Sequence, residues 1–408
     1  MKRVFWSVAL ALLASTARGS ILHGVSYHGD TLWIAVLHDS LVNAFFSPDR
    51  GTTWYYRNAL PGGQVKPMWD LDFVNGSTGW LVGDVSFIFY TEDQGNSWTM
   101  QNYGGSKYIT RIRMLDSQVG WAAAGDKIWF RTTDGGQSWQ WYLVLEGRMT
   151  DFYGVAPLSA EECYMVGGIP FGVEGGQGMI FHTTDGGQTW ELLRDDSTYD
   201  YLDTWFVDSQ TGWVVGGTDT DPYEPILLHT TDGGQTWQDQ TPAYGHTLRA
   251  VQFVSDTEGW AVGKFGTILH TTDGGQTWHL QPTPTQVTLF DLDFQDALHG
   301  AAVGDSSVLL LTDDGGQTWQ RFTVTVTVAE ARPWPGQDPQ FPHTIWLRLD
   351  QRMPLPVGRW TLYSPSGRRL LRVHSTGQGV PWPRTLPPGL YFARPAATGP
   401  TLRLVVLP

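Results

Sequence analysis

The residues of this chain best suited to acid–base work are three aspartates, Asp70, Asp203 and Asp291, which recur at one position of an internal repeat. Two carboxylates across a cleft can hydrolyse a glycosidic bond, with a separation of about 5 Å or about 6.5–9.5 Å according to stereochemistry. A carboxyl whose pKa is raised by burial would be the acid of such a pair. Arg111 and Arg249 fall near the starts of two equivalent segments, where they can meet an anion. Sugar recognition is the other chemistry on offer, because aromatic rings stack on apolar C–H faces while carboxylates accept hydroxyl hydrogen bonds. Trp69, Phe171, Tyr199, Tyr201 and Tyr223 supply rings, and Asp195, Asp196, Asp200, Asp203, Asp219, Asp221 and Glu224 supply acids. A solvated acidic loop cluster is the alternative for the same residues. Clustered oxygens also suit Ca²⁺, yet neither Asp219-x-Asp221 nor Asp195-Asp196 completes a recognised calcium loop. No cofactor, no metal and no catalytic residue is therefore expected. Trp69, Arg111, Phe171, Tyr199, Tyr201, Asp203, Tyr223 and Arg249 are the expected ligand-binding residues.

The elements that must position these groups are written as a repeat. Ser/Thr-x-Asp-x-Gly-x-Ser/Thr-Trp recurs with its aspartate at Asp49, Asp93, Asp134, Asp185, Asp232, Asp273 and Asp314 and its tryptophan at Trp54, Trp98, Trp139, Trp190, Trp237, Trp278 and Trp319. The aspartates are 44, 41, 51, 47, 41 and 41 residues apart. A period in the low forties matches one four-stranded propeller blade. About 12 residues before most aspartates stands a Gly-Trp pair, as in Gly79-Trp80, Gly120-Trp121, Gly212-Trp213 and Gly259-Trp260. Cys163-Tyr164 and Gly300-Ala301 are the departures. Earlier still come Asp70-Leu-Asp-Phe73, Val251-Gln-Phe253 and Asp291-Leu-Asp-Phe294. Each blade thus reads as an inner strand, a Gly-Trp strand, a third strand, the Asp turn and an outer strand. In the turn the short carboxylate accepts nearby N–H groups and glycine supplies positive φ. Each turn tryptophan then buries about 150–250 Å² over the blade, so its loss should cost about 3–5 kcal/mol.

The expected fold is all-β: a seven-bladed β-propeller of four-stranded blades over residues 20–325, followed by a small Ig-like β-sandwich. Loops between second and third strands, and between blades, share one face. The long segments Ile169–Gly178, Thr218–Pro225 and Asp195–Asp203 extend that face, which makes it the expected binding face.

Composition agrees. The 48 glycines and 21 tryptophans in 408 residues suit tight turns and large packing units. Lys2-Arg3, the apolar run Val4–Ala14 and the small residues Ser15–Gly19 read as a signal peptide over residues 1–19. That run is too short to span a bilayer, so no transmembrane segment is expected in the mature chain. Cys163 is the single cysteine, so no intramolecular disulfide can form. Net charge is −14, split between +8 in residues 321–408 (11 Arg, 3 acids) and −22 in residues 1–320 (15 basic, 37 acidic). Phosphates would be repelled by such a body, and nucleic acid is excluded as its partner.

The Thr-Thr-Asp-Gly-Gly-Gln-Thr-Trp run resembles the Asp-box, or bacterial neuraminidase repeat, of sialidases, xyloglucanase-type glycosidases, sortilin-like receptors and the photosystem II stability/assembly factor family. Gly-Trp-x-Val-Gly ahead of it looks most like the last of these. That resemblance covers roughly residues 21–320 and implies a protein-binding propeller; in that family a basic patch meets the client, whereas this propeller is acidic. The arginine triad and Phe-Arg-Ile-Pro signature of a sialidase are absent, Gly168-Ile-Pro170 being no substitute. Xyloglucanase-type enzymes place their cleft between two propellers, and this chain has one.

A Pro-rich linker occupies residues 326–343, and short alternating strands with Pro/Gly turns follow over 344–408. Leu362-Tyr363, Gly367-Arg368, Leu386-Pro-Pro-Gly389-Leu-Tyr391 and the terminal Leu-Arg-Leu-Val-Val-Leu-Pro resemble the sorting domain of the type IX secretion system. An Asn-Pro opening is missing, with Trp334-Pro335 and Asp338-Pro339 in its place. The expected protein is exported, to the cell surface or beyond. It binds a surface or extracellular protein or glycan through its propeller and type IX-like secretion machinery through its tail. A polysaccharide-cleaving propeller is the alternative.

Overall fold

The computed structural model describes residues 20–37, 44–57, 67–101, 107–144, 151–169 and 176–324, and in the C-terminal region 344–348, 352–353, 358–363, 369–375, 380–381, 389–395 and 402–407. Seven four-stranded antiparallel sheets, each made of four consecutive strands, form the propeller. Blade 2 is typical: inner strand Met68–Phe73, second strand Gly79–Gly83, third strand Ile88–Thr91 and outer strand Thr99–Met100. The inner strands of the other blades are Leu22–His28, Ile109–Met114, Asp151–Pro157, Asp200–Phe206, Leu248–Phe253 and Leu289–Phe294. They start two or three residues earlier than the apolar pattern suggests.

Among the described residues no strand is exchanged between the first and last blades; a shared apolar cluster, a backbone bond from Ser307 N–H to Ser20 O at 2.7 Å and side-chain bonds close the ring. Asp291 accepts Val25 N–H at 2.9 Å, Asp293 accepts Tyr27 N–H at 2.7 Å, and Gln295 accepts Gly29 N–H at 2.7 Å. The two aspartates tie blade 7 to the inner strand of blade 1, and Gln295 to the turn after it; the aspartate device recurs in the ring, where Asp70 accepts Ile112 N–H and Asp203 accepts Val251 N–H.

All seven Asp turns are built alike. In blade 5, Thr230 Oγ1 donates to Asp232 at 2.8 Å and receives Gly234 N–H at 2.8 Å, while Asp232 accepts both Thr236 N–H (2.9 Å) and Thr236 Oγ1–H (2.6 Å). Gly234 has φ +84°, a conformation only glycine adopts freely.

The Gly-Trp pair has a packing reason that strand patterning does not supply. Gly259 faces Phe253 across the ladder, and a Cβ there would come within 2.6 Å of the Phe253 ring. That ring lies flat on Trp213 of the preceding blade, 3.5 Å between centroids. The turn tryptophan Trp278 meets it edge-on at 5.9 Å and 88°. The same stack occurs at Trp260, Phe294 and Trp319, and with Tyr164 in place of the indole at Phe206 and Trp237. In blade 4 the residue facing Cys163 is Pro157 in place of the phenylalanine of blades 2, 5, 6 and 7, and a thiol stands where those blades carry glycine. Cys163 is buried, as expected of a small core residue.

The C-terminal strands Thr344–Arg348, Gly358–Tyr363, Arg369–Ser375, Gly389–Pro395 and Leu402–Leu407 form a five-stranded sheet, with Arg352–Met353 and Val380–Pro381 as a separate pair. Its first and last strands run parallel, a pairing absent from the sequence reading. Among the described residues no helix is long and apolar enough to cross a membrane.

Candidate functional site

The inner strands carry a shared irregularity. In every blade the ladder with the second strand skips one residue, as at Met68/Asp70, Leu248/Ala250 and Leu289/Asp291. A bulge turns its extra residue out of the paired row. The seven skipped residues are His23, Trp69, Thr110, Tyr153, Leu202, Arg249 and Phe290. Together with Arg111 they line a cavity of about 40 Å³ at one mouth of the central channel. Such a volume holds no more than a water or two, so a ligand would lie across the mouth rather than enter it.

The mouth is aromatic and nearly neutral on one side. His23 stacks on Phe290 at 5.1 Å and meets Trp69 edge-on at 5.1 Å. Trp69 in turn stacks on Tyr108 at 5.4 Å and donates its indole N–H to Asp84 at 2.8 Å. Burial holds the His23 imidazole down, to about 4, so the neutral ring donates Nδ1–H to Trp69 O at 2.7 Å. Tyr153 donates its hydroxyl to Ile169 O at 2.6 Å. On the other side Arg249 and Lys264 share one oxygen of Asp219, each at 3.1 Å, and Lys264 lies 3.8 Å over the Tyr223 ring. Two turns of this face lift apolar side chains into solvent: Val85 (φ 57°) and Phe265 (φ 55°). Bulky and β-branched residues avoid that conformation, and strain of this kind collects at working surfaces.

Beneath the mouth the channel is plugged by charge. Arg111 reaches Asp291 at 2.7 Å, Asp203 at 3.2 Å and Asp70 at 3.9 Å, joining blades 3, 7, 5 and 2. Arg113 adds Asp70 at 3.3 Å. The three aspartates do converge, and each is buried and tied to a neighbouring blade's N–H. Burial, reinforced by the charge of Asp291, outweighs the two guanidiniums and raises the Asp70 carboxyl to about 7. Its Oδ1 accepts no hydrogen bond among the described residues and has Arg111 at 3.9 Å. Burial likewise raises Asp293, to about 6, and lifts Asp72 and Asp203.

The turn aspartates shift the other way. In Asp185, Asp232, Asp273 and Asp314 the hydroxyl and N–H of the following Thr lower the carboxyl; in Asp49, Asp93 and Asp134 the same bonds outweigh an opposing burial effect. These two populations set opposite pH slopes. A carboxyl raised on folding binds more protons in the native state, so stability grows as pH falls from about 7 through the folded values of the plug. One lowered on folding stabilises above the unfolded value of about 3.9 and is lost as pH falls through its folded value. The melting temperature should therefore peak in mildly acid solution. A scan from pH 3 to 9 that rose steadily to pH 8 would exclude a protonated plug.

The other expected ligand residues separate. Trp69 and Arg249 stand at the mouth, and Arg111 and Asp203 belong to the plug. Tyr201 is fully buried, its hydroxyl bonded to Arg194 at 2.6 Å and Asp196 at 3.2 Å; it offers no ring face to a ligand, which corrects its assignment as a sugar platform. Tyr199 packs half-buried between blades 4 and 5. Phe171 lies outside the described residues. The loop acids are used internally: Asp196 accepts Thr198 N–H, and Asp200 accepts Ile169 and Gln177 N–H. His23, Thr110, Tyr153, Leu202 and Phe290 escaped sequence reasoning. Each stands one residue before the position of Asp70 in its repeat, and aligning the repeats on that residue would have found them.

A family model described as photosynthesis system II assembly factor YCF48 matches residues 63–198, 193–282 and 277–332. The photosystem II assembly lipoprotein Ycf48 of Synechococcus sp. (strain CC9902) is 28% identical over 138 residues, 33% of this chain and 38% of that protein. The chain thus spans well under half of that curated relative's length in the match. Of the solved structures, YCF48 bound to D1 peptide gives a TM-score of 0.55 at 20% identity, covering 72% of this chain and 94% of that one. YCF48 from Cyanidioschyzon merolae gives 0.56 at 15% identity, covering 73% and 97%. These two likenesses are of fold, while the family model runs through most of the propeller, from blade 2 to the end of blade 7. A seven-bladed propeller with Asp turns and that match together place the chain in the photosynthesis system II assembly factor YCF48 family.

Proposed function

We propose that this protein is an exported, non-catalytic assembly factor whose propeller holds an extended segment of a client protein across the channel mouth. The observation that carries it is the ring of seven bulge residues, where Trp69, Phe290 and Tyr153 stand beside Arg249. Rings suit apolar side chains of a peptide, and the Arg249 side suits its carbonyl oxygens or a carboxylate. Membership in an assembly-factor family, and a relative of the same fold that binds a D1 peptide, support a protein client. Asp70, Asp203 and Asp291 work as struts of the plug in this reading, not as an acid–base pair. Residues 1–19 serve export and residues 344–408 a secretion or attachment role, consistent with a curated relative named as a lipoprotein.

Binding is tested with the purified full chain on an array of extended peptides, alongside a polysaccharide panel. Trp69→Ala and Arg249→Ala should each weaken peptide binding about tenfold or more, as central aromatic and Arg anchors do, with the melting temperature little changed. Retention on polysaccharide without peptide binding would overturn the protein client in favour of a glycan. Deleting residues 330–408 should abolish surface display; normal display of the deletion would refute the role given to the tail.

A further inference from the structure

An edge strand is a row of free hydrogen-bonding groups, and folded proteins blunt such edges with charge, brevity or cover. The outer strands of most blades follow that rule. Several are two residues long, as at Thr99–Met100, Gln238–Asp239 and His279–Leu280. Of the longer ones, Glu191–Asp195 carries Glu191, Arg194 and Asp195, and Gln320–Thr323 carries Arg321. The outer strand of blade 3, Gln140–Leu143, reads Gln-Trp-Tyr-Leu and holds no charge. All four residues are exposed, Trp141 by 44%, Tyr142 by 60% and Leu143 by 47%. Three consecutive large apolar residues stand in solvent on a body that otherwise carries a strong negative charge.

The register says which backbone groups are open. Val144 N–H donates inward to Lys127 O at 3.1 Å, and Tyr142 and Gln140 face Trp129 and Arg131 in the same ladder. Antiparallel pairing alternates, so the N–H and C=O of Trp141 and Leu143 point away from the blade. Two such strands brought together antiparallel about a two-fold axis at Tyr142 pair Trp141 with Leu143 of the other copy, and Leu143 with its Trp141. That register uses every open group for four backbone hydrogen bonds. Trp141–Leu143 contacts form on one face and the two Tyr142 rings meet on the other, aromatic and aliphatic pairs of the favourable kind.

We propose that this edge is a self-association site, at which two copies of the chain join through the outer strands of blade 3 to make a continuous eight-stranded sheet. A second copy is the occupant because the strand is complementary to itself: it lacks charge, so it brings no like-charge repulsion where the rest of the acidic body would. An isologous contact of this size closes as a dimer and falls at the small end of specific interfaces, so association in the micromolar range is expected.

Sedimentation equilibrium of the full chain from about 1 to 100 µM, spanning that range, should show the mass doubling. Leu143→Pro removes an N–H the blade does not use and should leave a monomer with an unchanged melting temperature; Tyr142→Lys should do the same by placing like charges at the axis. Because Cys163 is buried and alone, Tyr142→Cys introduces the one exposed thiol. In mild oxidant it should form a disulfide-linked dimer, whereas Trp141→Cys, facing Leu143 of the other copy, should not. A monomeric wild-type chain at 100 µM, a dimer unaffected by Leu143→Pro, or equal cross-linking of the two cysteine variants would overturn the proposal.

Discussion

Replacing Arg111 with leucine should lower the stability of the propeller by about 3–5 kcal/mol, the usual cost of removing one partner of a buried ionic cluster. Arg111 is 6% exposed and touches carboxylates from three other blades. Its loss leaves the buried carboxyls of Asp70, Asp203 and Asp291 facing one another with Arg113, on Asp70, as the nearby cation that remains. The defect should itself depend on pH. Without the guanidinium, Asp70 and Asp203 rise further above their unfolded values, so the variant loses stability as pH climbs through those raised values and recovers it as they protonate. Denaturation midpoints of wild type and variant should converge between pH 8 and pH 5. A deficit below about 1 kcal/mol at pH 8, or one indifferent to pH, would mean that the plug does not hold the blades together.

Trp260→Ala should cost about 3–5 kcal/mol as well, and clearly more than Trp237→Ala. Trp260 is fully buried, stacked on Phe294 of the next blade at 3.7 Å and on His270 at 4.7 Å, and its indole N–H reaches Gly315 O at 3.1 Å. Trp237 belongs to the Asp turn. It is half-buried, meets Phe206 edge-on at 6.2 Å, and its indole N–H finds no partner among the described residues. Less apolar area returns to water when it is removed, so about half the cost is expected. This reverses the emphasis of the repeat, whose most repeated tryptophan is the one in the turn. Chemical denaturation of both variants decides it: equal costs would place the inter-blade adhesion in the turns instead of the Phe–Trp stacks.

The two effects share an origin. Blades 5 and 6 touch through an aromatic stack and an Asp-to-backbone bond, blades 6 and 7 through a second such stack, and blades 2, 3, 5 and 7 meet at the plug. Between the hub and the outer strands the chain has no disulfide to fall back on.

Much of this was local and therefore legible. The turn motif is satisfied within eight residues: Thr230, Asp232, Gly234 and Thr236 bond one another whatever surrounds them. Seven copies of a self-contained turn count the blades, and alternation between them orders the strands. Length variation then shows which face is extended. What the sequence could not determine lies across chain distances it does not encode. Arg111 meets Asp291 over 180 residues, and nothing near either residue marks the other as its partner. The bulges shift each inner strand by one residue, so the side chains at the mouth are those a strict two-residue period assigns elsewhere. Tyr201 looked like a loop aromatic because neighbours such as Asp200 and Asp203 are acidic, yet its ring closes the gap between blades 4 and 5. The requirement for glycine before tryptophan became readable only once Phe253 was seen lying on Gly259. Turn chemistry is short-range and survives in a string of letters, whereas the plug and the mouth exist only when seven remote strands converge on one axis.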